Sequence, residues 1–241
     1  MTNENLTALM IGNSRYHWAE ILDGRIQRVW HTSHNETLPN LDSPLVFASV
    51  VPAQGDRLKR HYPTATKITL ADIPLGNLYP TLGIDRALAM YGAGEIYGYP
   101  CLVIDGGTAL TFSGVDGDRR FVGGAILPGL RLQFQMLPQG TAALPSIELP
   151  EQLPTRWAQE TKEAIASGIL HTVSAGLNSF IDNWLTKYPT SSILVTGGDG
   201  NFLKQSVPHP ELVHIDADLV LQGLVKLWLT QKWVKKKEKD L

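Results

Sequence analysis

Apolar residues occur in short runs that end at glycine or proline. Leu6 to Ile11 runs into Gly12-Asn13-Ser14, and Leu45 to Val51 is stopped by Pro52. Short apolar, β-branched runs bounded by such residues predict buried strands. Lys67 to Leu70 predicts a weaker one. Asp23-Gly24 separates two segments with strand-like residues, and this dipeptide favours a tight hairpin turn. From Cys101 the opening pattern returns: an apolar run to Ile104, then Asp105-Gly106-Gly107-Thr108, then a second Asp-Gly at Asp116-Gly117. Two strand, glycine-turn, hairpin units of similar layout predict an internally duplicated chain. Ser192 to Val195 predicts another strand, entering Thr196-Gly197-Gly198-Asp199-Gly200.

Helical segments lie between these strands. Gly83 to Gly98 is alanine-rich, with Gly92 and Gly94 as interruptions. From Arg156 to Lys187, Trp157, Ile165, Ile169, Val173, Leu177, Ile181 and Leu185 fall mostly four apart, a helical stripe that Gly168 is expected to weaken. A last helix is expected over about Asp216 to Trp233. Alternating strands and helices place the chain in the α/β class. The expected division is residues 1–98 and 99–241.

Composition narrows the function. The 241 residues carry a formal net charge of -2, which argues against a general nucleic-acid binder, since those carry a basic excess. A single cysteine, Cys101, excludes an intrachain disulfide and a cysteine-based zinc cluster. The start, MTNENLTALM, lacks the pattern of a signal peptide. No run approaches the roughly 18 apolar residues of a membrane helix, so a soluble cytoplasmic protein is expected. The seven histidines, His209 among them, show no metal spacing, and the six tryptophans read as core or interface fillers. Lys232, Lys235, Lys236, Lys237 and Lys239 read as a solvated helix end.

Candidate chemistry sits in the turns. Three glycine turns follow three apolar strands, at 11–14, 105–108 and 196–200. Glycine lets backbone N–H groups approach a phosphate, and Ser or Thr adds a hydroxyl donor. Ordinary tight turns are the alternative for any one of them. None is a Walker A or a G-x-G-x-x-G loop. Gly83-Ile84-Asp85-Arg86 follows Tyr79-Pro80 and opens a helix. There Asp85 either caps the helix, with Arg86 solvated, or accepts a hydroxyl proton while Arg86 grips a carboxylate. Gly123-Gly124 is expected before a strand and Pro128-Gly129 before a helix, both in a structural role. Thr161 is expected about one turn inside its helix.

Taken in order, G-N-S at 12–14, A-S-V-V-P at 48–52, G-I-D-R at 83–86, D-G-G-T-A at 105–109, G-G-A-I-L-P-G at 123–129, T-K-E-A-I-A-S-G at 161–168, V-T-G-G-D-G at 195–200 and D-L-V-L-Q-G-L at 218–224 resemble the type III pantothenate kinase family. The resemblance covers nearly the whole chain. It implies an actin-like fold of two ribonuclease H-like domains with a nucleotide cleft between them. It implies ATP-dependent phosphorylation of pantothenate, the first step toward coenzyme A, with Mg²⁺ accompanying ATP, a monovalent cation (K⁺ or NH₄⁺) and a homodimer. Asp85 then resembles the catalytic base. Tyr79, Gly83, Ile84, Arg86 and Thr161 match substrate contacts, Gly12, Asn13, Ser14, Arg15 and Thr108 match ATP contacts, and Asp105 matches the acidic residue of the monovalent cation. The family pattern opens D-x-G-N-[ST], and Met10 stands here in place of that aspartate. A thioether does not hold a hard cation, which prefers oxygen. A nucleotide-binding accessory protein without catalysis, or a kinase for another small alcohol, are the alternatives.

Overall fold

A computed structural model describes residues 5–207 and 210–239, with side chains as far as Thr230. His209 and the side chains of the terminal lysines lie outside the described residues. The elements are β1 (Asn5–Ile11), β2 (Tyr16–Leu22), β3 (Arg25–Thr32), β4 (Leu45–Ser49), α1 (Pro52–His61), β5 (Thr66–Lys67), α2 (Ile84–Tyr97), β6 (Cys101–Gly106), β7 (Ala109–Val115), β8 (Phe121–Pro128), α3 (Leu130–Gly140), α4 (Thr161–Lys187), β9 (Ser192–Thr196), α5 (Gly200–Gln205), β10 (Val213–Ile215) and α6 (Leu219–Lys239).

The predicted duplication is present. One sheet has the order β3-β2-β1-β4-β5, and the other, read from its opposite edge, β8-β7-β6-β9-β10. In each, three antiparallel strands come first and two parallel strands extend the sheet. The Asp23-Gly24 turn has φ of 50° and 75° at its two residues, the left-handed pair that a two-residue hairpin needs.

The chain forms two compact units, but not by the expected continuous split. One runs to Ile96 and takes up the chain again from Asp218, and the other is Tyr97–Ala217. The last helix therefore belongs with the first sheet, not the second. The cause is that β1 is buried on both faces, with only Asn5 exposed. Leu9 and Ile11 pack with Tyr16, Trp18, Phe47 and Leu58. Alternation turns Ala8 and Met10 to the opposite face, and α6 lies against β1, β2 and β4.

Gly92 does not interrupt α2. A Cβ there would fall 2.7 Å from the Leu219 carbonyl, and one at Gly223 would fall 2.1 Å from the Leu88 carbonyl. The two glycines let α2 and α6 touch backbone to backbone. The Lys67–Leu70 strand shrinks to Thr66–Lys67, because Leu70–Asp72 turns into a 3₁₀ helix closed by a Thr69–Asp72 capping box. The hydrophobic pattern does not predict α1, α5 or β10; α1 is a polar segment (PAQGDRLKRH) that buries only Gly55 and Leu58.

In the second unit, Leu102, Ile104, Phe112, Leu170, Leu177 and Val195 share one core. α4 starts at Thr161, not Arg156, and Gly168 leaves it continuous. The preceding loop is tied to the helix instead: Ser167 donates to the Arg156 carbonyl at 2.6 Å, and the His171 ring is 2.9 Å from the Pro154 carbonyl. Trp157 stands outside the apolar stripe, 88% exposed, so it fills no core. At 27 residues, with a stretch of 18 whose mean hydropathy is 1.3, α4 is long and apolar enough to cross a membrane. Ile165, Leu170, Val173, Leu177 and Ile181 are nonetheless buried in this core, which makes α4 a core helix here. Gly123 and Gly124 lie inside β8, not ahead of it, while Gly129 is the N-cap of α3 as expected.

Candidate functional site

In the first unit, β1 ends at a turn closed by the Gly12 N–H donating to the Arg15 carbonyl at 3.1 Å. Asn13, Ser14 and Arg15 are exposed at its tip. Beside it, His17 pairs across the strands with Met10, and its ring meets the His31 ring edge-on at 4.8 Å. Burial first, then the charges of His31 and Arg15, lower the His17 pKa to about 4. The imidazole is therefore neutral at physiological pH. Met10 is buried.

The same unit builds the Asp85 cluster. Asp85 is the second residue of α2, and its Oδ1 accepts the Arg86 N–H at 2.8 Å. A Cβ on Gly83 would sit 2.4 Å from that oxygen, so a larger residue there would push the carboxylate aside. Burial raises the Asp85 pKa; the Arg86 N–H and the Arg86 charge pull it back down. Arg86 is not solvated but buried, and its Nη1 donates to the Tyr79 hydroxyl at 3.1 Å. Tyr79, Gly83, Asp85 and Arg86 thus come together, and Ile84 is buried in the same first turn. A half-buried carboxylate beside an oriented guanidinium can accept a proton from one end of a ligand and hold an anion at another.

In the second unit, Asp105 and Gly106 end β6, and Gly107 and the exposed Thr108 form the turn into β7. Gly129 packs on this turn. A Cβ on it would lie 2.1 Å from the Gly107 carbonyl and 2.8 Å from that of Thr108, whose oxygen accepts the Gly129 N–H at 2.9 Å. The third glycine turn packs there too, since a Cβ on Gly197 would lie 2.4 Å from Asp105 Oδ1. Asp199 donates its N–H to the Gly106 carbonyl at 2.9 Å. Its carboxylate accepts Arg131 Nε at 3.1 Å. The sequence reading passed over Arg131 and Asp199 as side chains. Only the position of Asp199 within a glycine turn signalled it. Thr161 is exposed at the very start of α4, in an open groove with Ala143, Pro145 and Glu160.

The family model of type III pantothenate kinase matches residues 8–183. The chain belongs to the type III pantothenate kinase family. A type III pantothenate kinase of Synechocystis sp. is 44% identical over 230 residues, 91% of this chain and 88% of that protein. One from Synechococcus elongatus is 39% identical over 235 residues, 91% and 94% of the two chains. Solved structures agree on the fold. A conserved Baf-family protein of Campylobacter jejuni superposes with a TM-score of 0.68 at 21% identity, covering 98% of this chain and 100% of its own. The ADPNP-bound activator of 2-hydroxyisocaproyl-CoA dehydratase from Clostridium difficile superposes with 0.54 at 12%, covering 98% of each chain. The actin-like fold of duplicated α/β domains expected from the motifs is therefore the fold of this type III kinase.

Membership of a kinase family brings ATP with a divalent metal. Among the described residues no three His, Cys, Asp or Glu side chains converge to cage such an ion, and buried Met10 supplies no oxygen. The residues present do not fit a protein-held magnesium.

Proposed function

We propose that the chain transfers the γ-phosphoryl group of ATP to the primary hydroxyl of pantothenate, making 4'-phosphopantothenate, the first step toward coenzyme A. The observation that carries this is the Tyr79–Arg86–Asp85 cluster at the start of α2 in a chain of this family. The hydroxyl oxygen bonds to the γ-phosphorus, the bond from that phosphorus to the β,γ-bridging oxygen breaks, and ADP leaves. Asp85 takes the hydroxyl proton. Phosphoryl transfer demands mostly positioning and charge stabilisation.

Arg86, held by Tyr79, is the partner for the pantothenate carboxylate. Gly83 and Ile84 set the backbone beneath it, and Thr161 is a further pantothenate contact. Gly12, Asn13, Ser14 and Arg15 hold ATP phosphates from the first turn, and Thr108 from the second. Asp105 binds the monovalent cation, K⁺ or NH₄⁺. The kinase works in the cytoplasm as a homodimer, without nucleic acid or membrane.

Coupled ADP release with ATP, Mg²⁺ and pantothenate, with and without K⁺, is the test. Pantothenate-dependent turnover is expected, stimulated by K⁺. Asp85→Asn should lower kcat about 10²–10⁴-fold, the usual contribution of a general base, and Arg86→Ala should chiefly raise the pantothenate KM. Nucleotide binding without turnover, or turnover only with another alcohol, would refute the assignment.

A further inference from the structure

One ion pair in the second unit is oddly distributed. The Asp199 side chain is 5% exposed, whereas that of its partner Arg131 is 69% exposed. Burying a carboxylate costs free energy that a half-exposed pair recovers poorly. The pair is thus a weak device for stability, but an effective one for orientation. Arg131 uses Nε on Asp199 Oδ1, and a guanidinium fixed by Nε has the two Nη groups left to form a planar fork.

Both residues are anchored to one glycine turn. Asp199 is fastened to it by its N–H on the Gly106 carbonyl, and Gly129, two residues before Arg131, is fastened by its N–H on the Thr108 carbonyl, each at 2.9 Å. The contacts of Gly129 with the carbonyls of Gly107 and Thr108 leave no room for drift. The guanidinium is therefore carried in a fixed place relative to Gly107 and exposed Thr108.

The geometry points to Arg131 as a further nucleotide-phosphate ligand of the second glycine turn, with Asp199 as the positioning residue that aims it. This rests on the kinase reading for the identity of the anion. The chemistry favours phosphate, since a planar fork on the turn that carries the exposed Thr108 matches phosphate oxygens. Pantothenate's carboxylate is already matched by Arg86.

The test measures ADP and adenosine binding to the full chain by calorimetry with Mg²⁺, alongside steady-state kinetics and melting temperature. Arg131→Ala leaves the buried Asp199 carboxylate without its guanidinium and should melt lower than the parent, so binding is measured well below the melting temperature of each variant. It should weaken ADP and raise the ATP KM roughly 10-fold or more, the scale of a charge-assisted hydrogen bond. Adenosine binding and the pantothenate KM should stay within about twofold, and Arg131→Lys should recover part of the loss. Asp199→Asn should weaken ADP less than Arg131→Ala, and the double variant should be no weaker than Arg131→Ala alone, because the carboxylate acts through the guanidinium. Unchanged ADP binding in Arg131→Ala would overturn the inference, as would an equal loss for adenosine. A parent chain that binds ADP yet never phosphorylates pantothenate would sink the kinase reading alone. Absence of ADP binding in the parent would sink both.

Discussion

At Asp85 burial and the neighbouring Arg86 act in opposite directions on one carboxyl, and burial is the stronger. A carboxyl raised in this way binds its proton more tightly folded than unfolded. The stability it contributes is full below its ordinary value near 3.8 and is lost as pH rises through the higher folded value. Asp85→Asn, which cannot ionise, should therefore melt higher than the parent at pH 7, and the difference should shrink as calorimetry is repeated toward pH 4. On the proposed mechanism, activity depends on the opposite form. The acid limb of kcat/KM should lie above the usual aspartate range, and Arg86→Met should move it higher still by removing the charge that lowers it. A limb that stays put in Arg86→Met would separate Asp85 from the proton transfer. The sequence made Asp85 and Arg86 visible as neighbours at a helix start. It left open whether Arg86 was solvated, because burial of an arginine depends on what the distant chain packs over it.

Two glycines of similar appearance in helices have opposite roles at the scale of the element. Gly223 lies where α6 crosses α2, with the Leu88 carbonyl 2.1 Å from where a Cβ would be, while nothing comes within 4 Å of a Cβ at Gly168. Gly223→Ala should cost about 1–3 kcal/mol by forcing backbone apart. Gly168→Ala should gain about 0.5–1 kcal/mol by restricting the unfolded chain and favouring helix. Urea unfolding, followed on the unit that holds each residue, checks both; a stabilising Gly223→Ala would contradict the helix crossing. Strands and turns were legible because an apolar run and the glycine that ends it are adjacent in sequence. The reason for Gly92 was not, since its partner Gly223 lies at the other end of the chain. The Arg131–Asp199 pair, 68 residues apart, was hidden for the same reason.

For the whole molecule the decisive feature is that one unit is made from two stretches of chain. Periodicity shows that α6 has an apolar side, but not which sheet receives it, so a continuous split at residue 98 was the natural expectation. Leu219, Leu221, Leu224, Val225 and Leu227 of α6 are all buried. At about 1.5–3 kcal/mol each they are worth on the order of 10 kcal/mol, as much as the whole stability of a typical domain, about 5–15 kcal/mol. The first unit should not survive without them. The second unit closes on itself: the Tyr97 hydroxyl donates to Asp216 at 3.1 Å and the Tyr97 ring lies 5.2 Å from His214, so its two chain ends meet. Residues 97–217 expressed alone should therefore melt cooperatively by circular dichroism, and residues 1–98 should not. Joining residues 1–96 to 218–241 through a flexible linker should restore a cooperative transition to the first unit. A cooperative melt from 1–98 alone would mean that α6 is a cover rather than part of the core, and the two-stretch architecture would have to be abandoned.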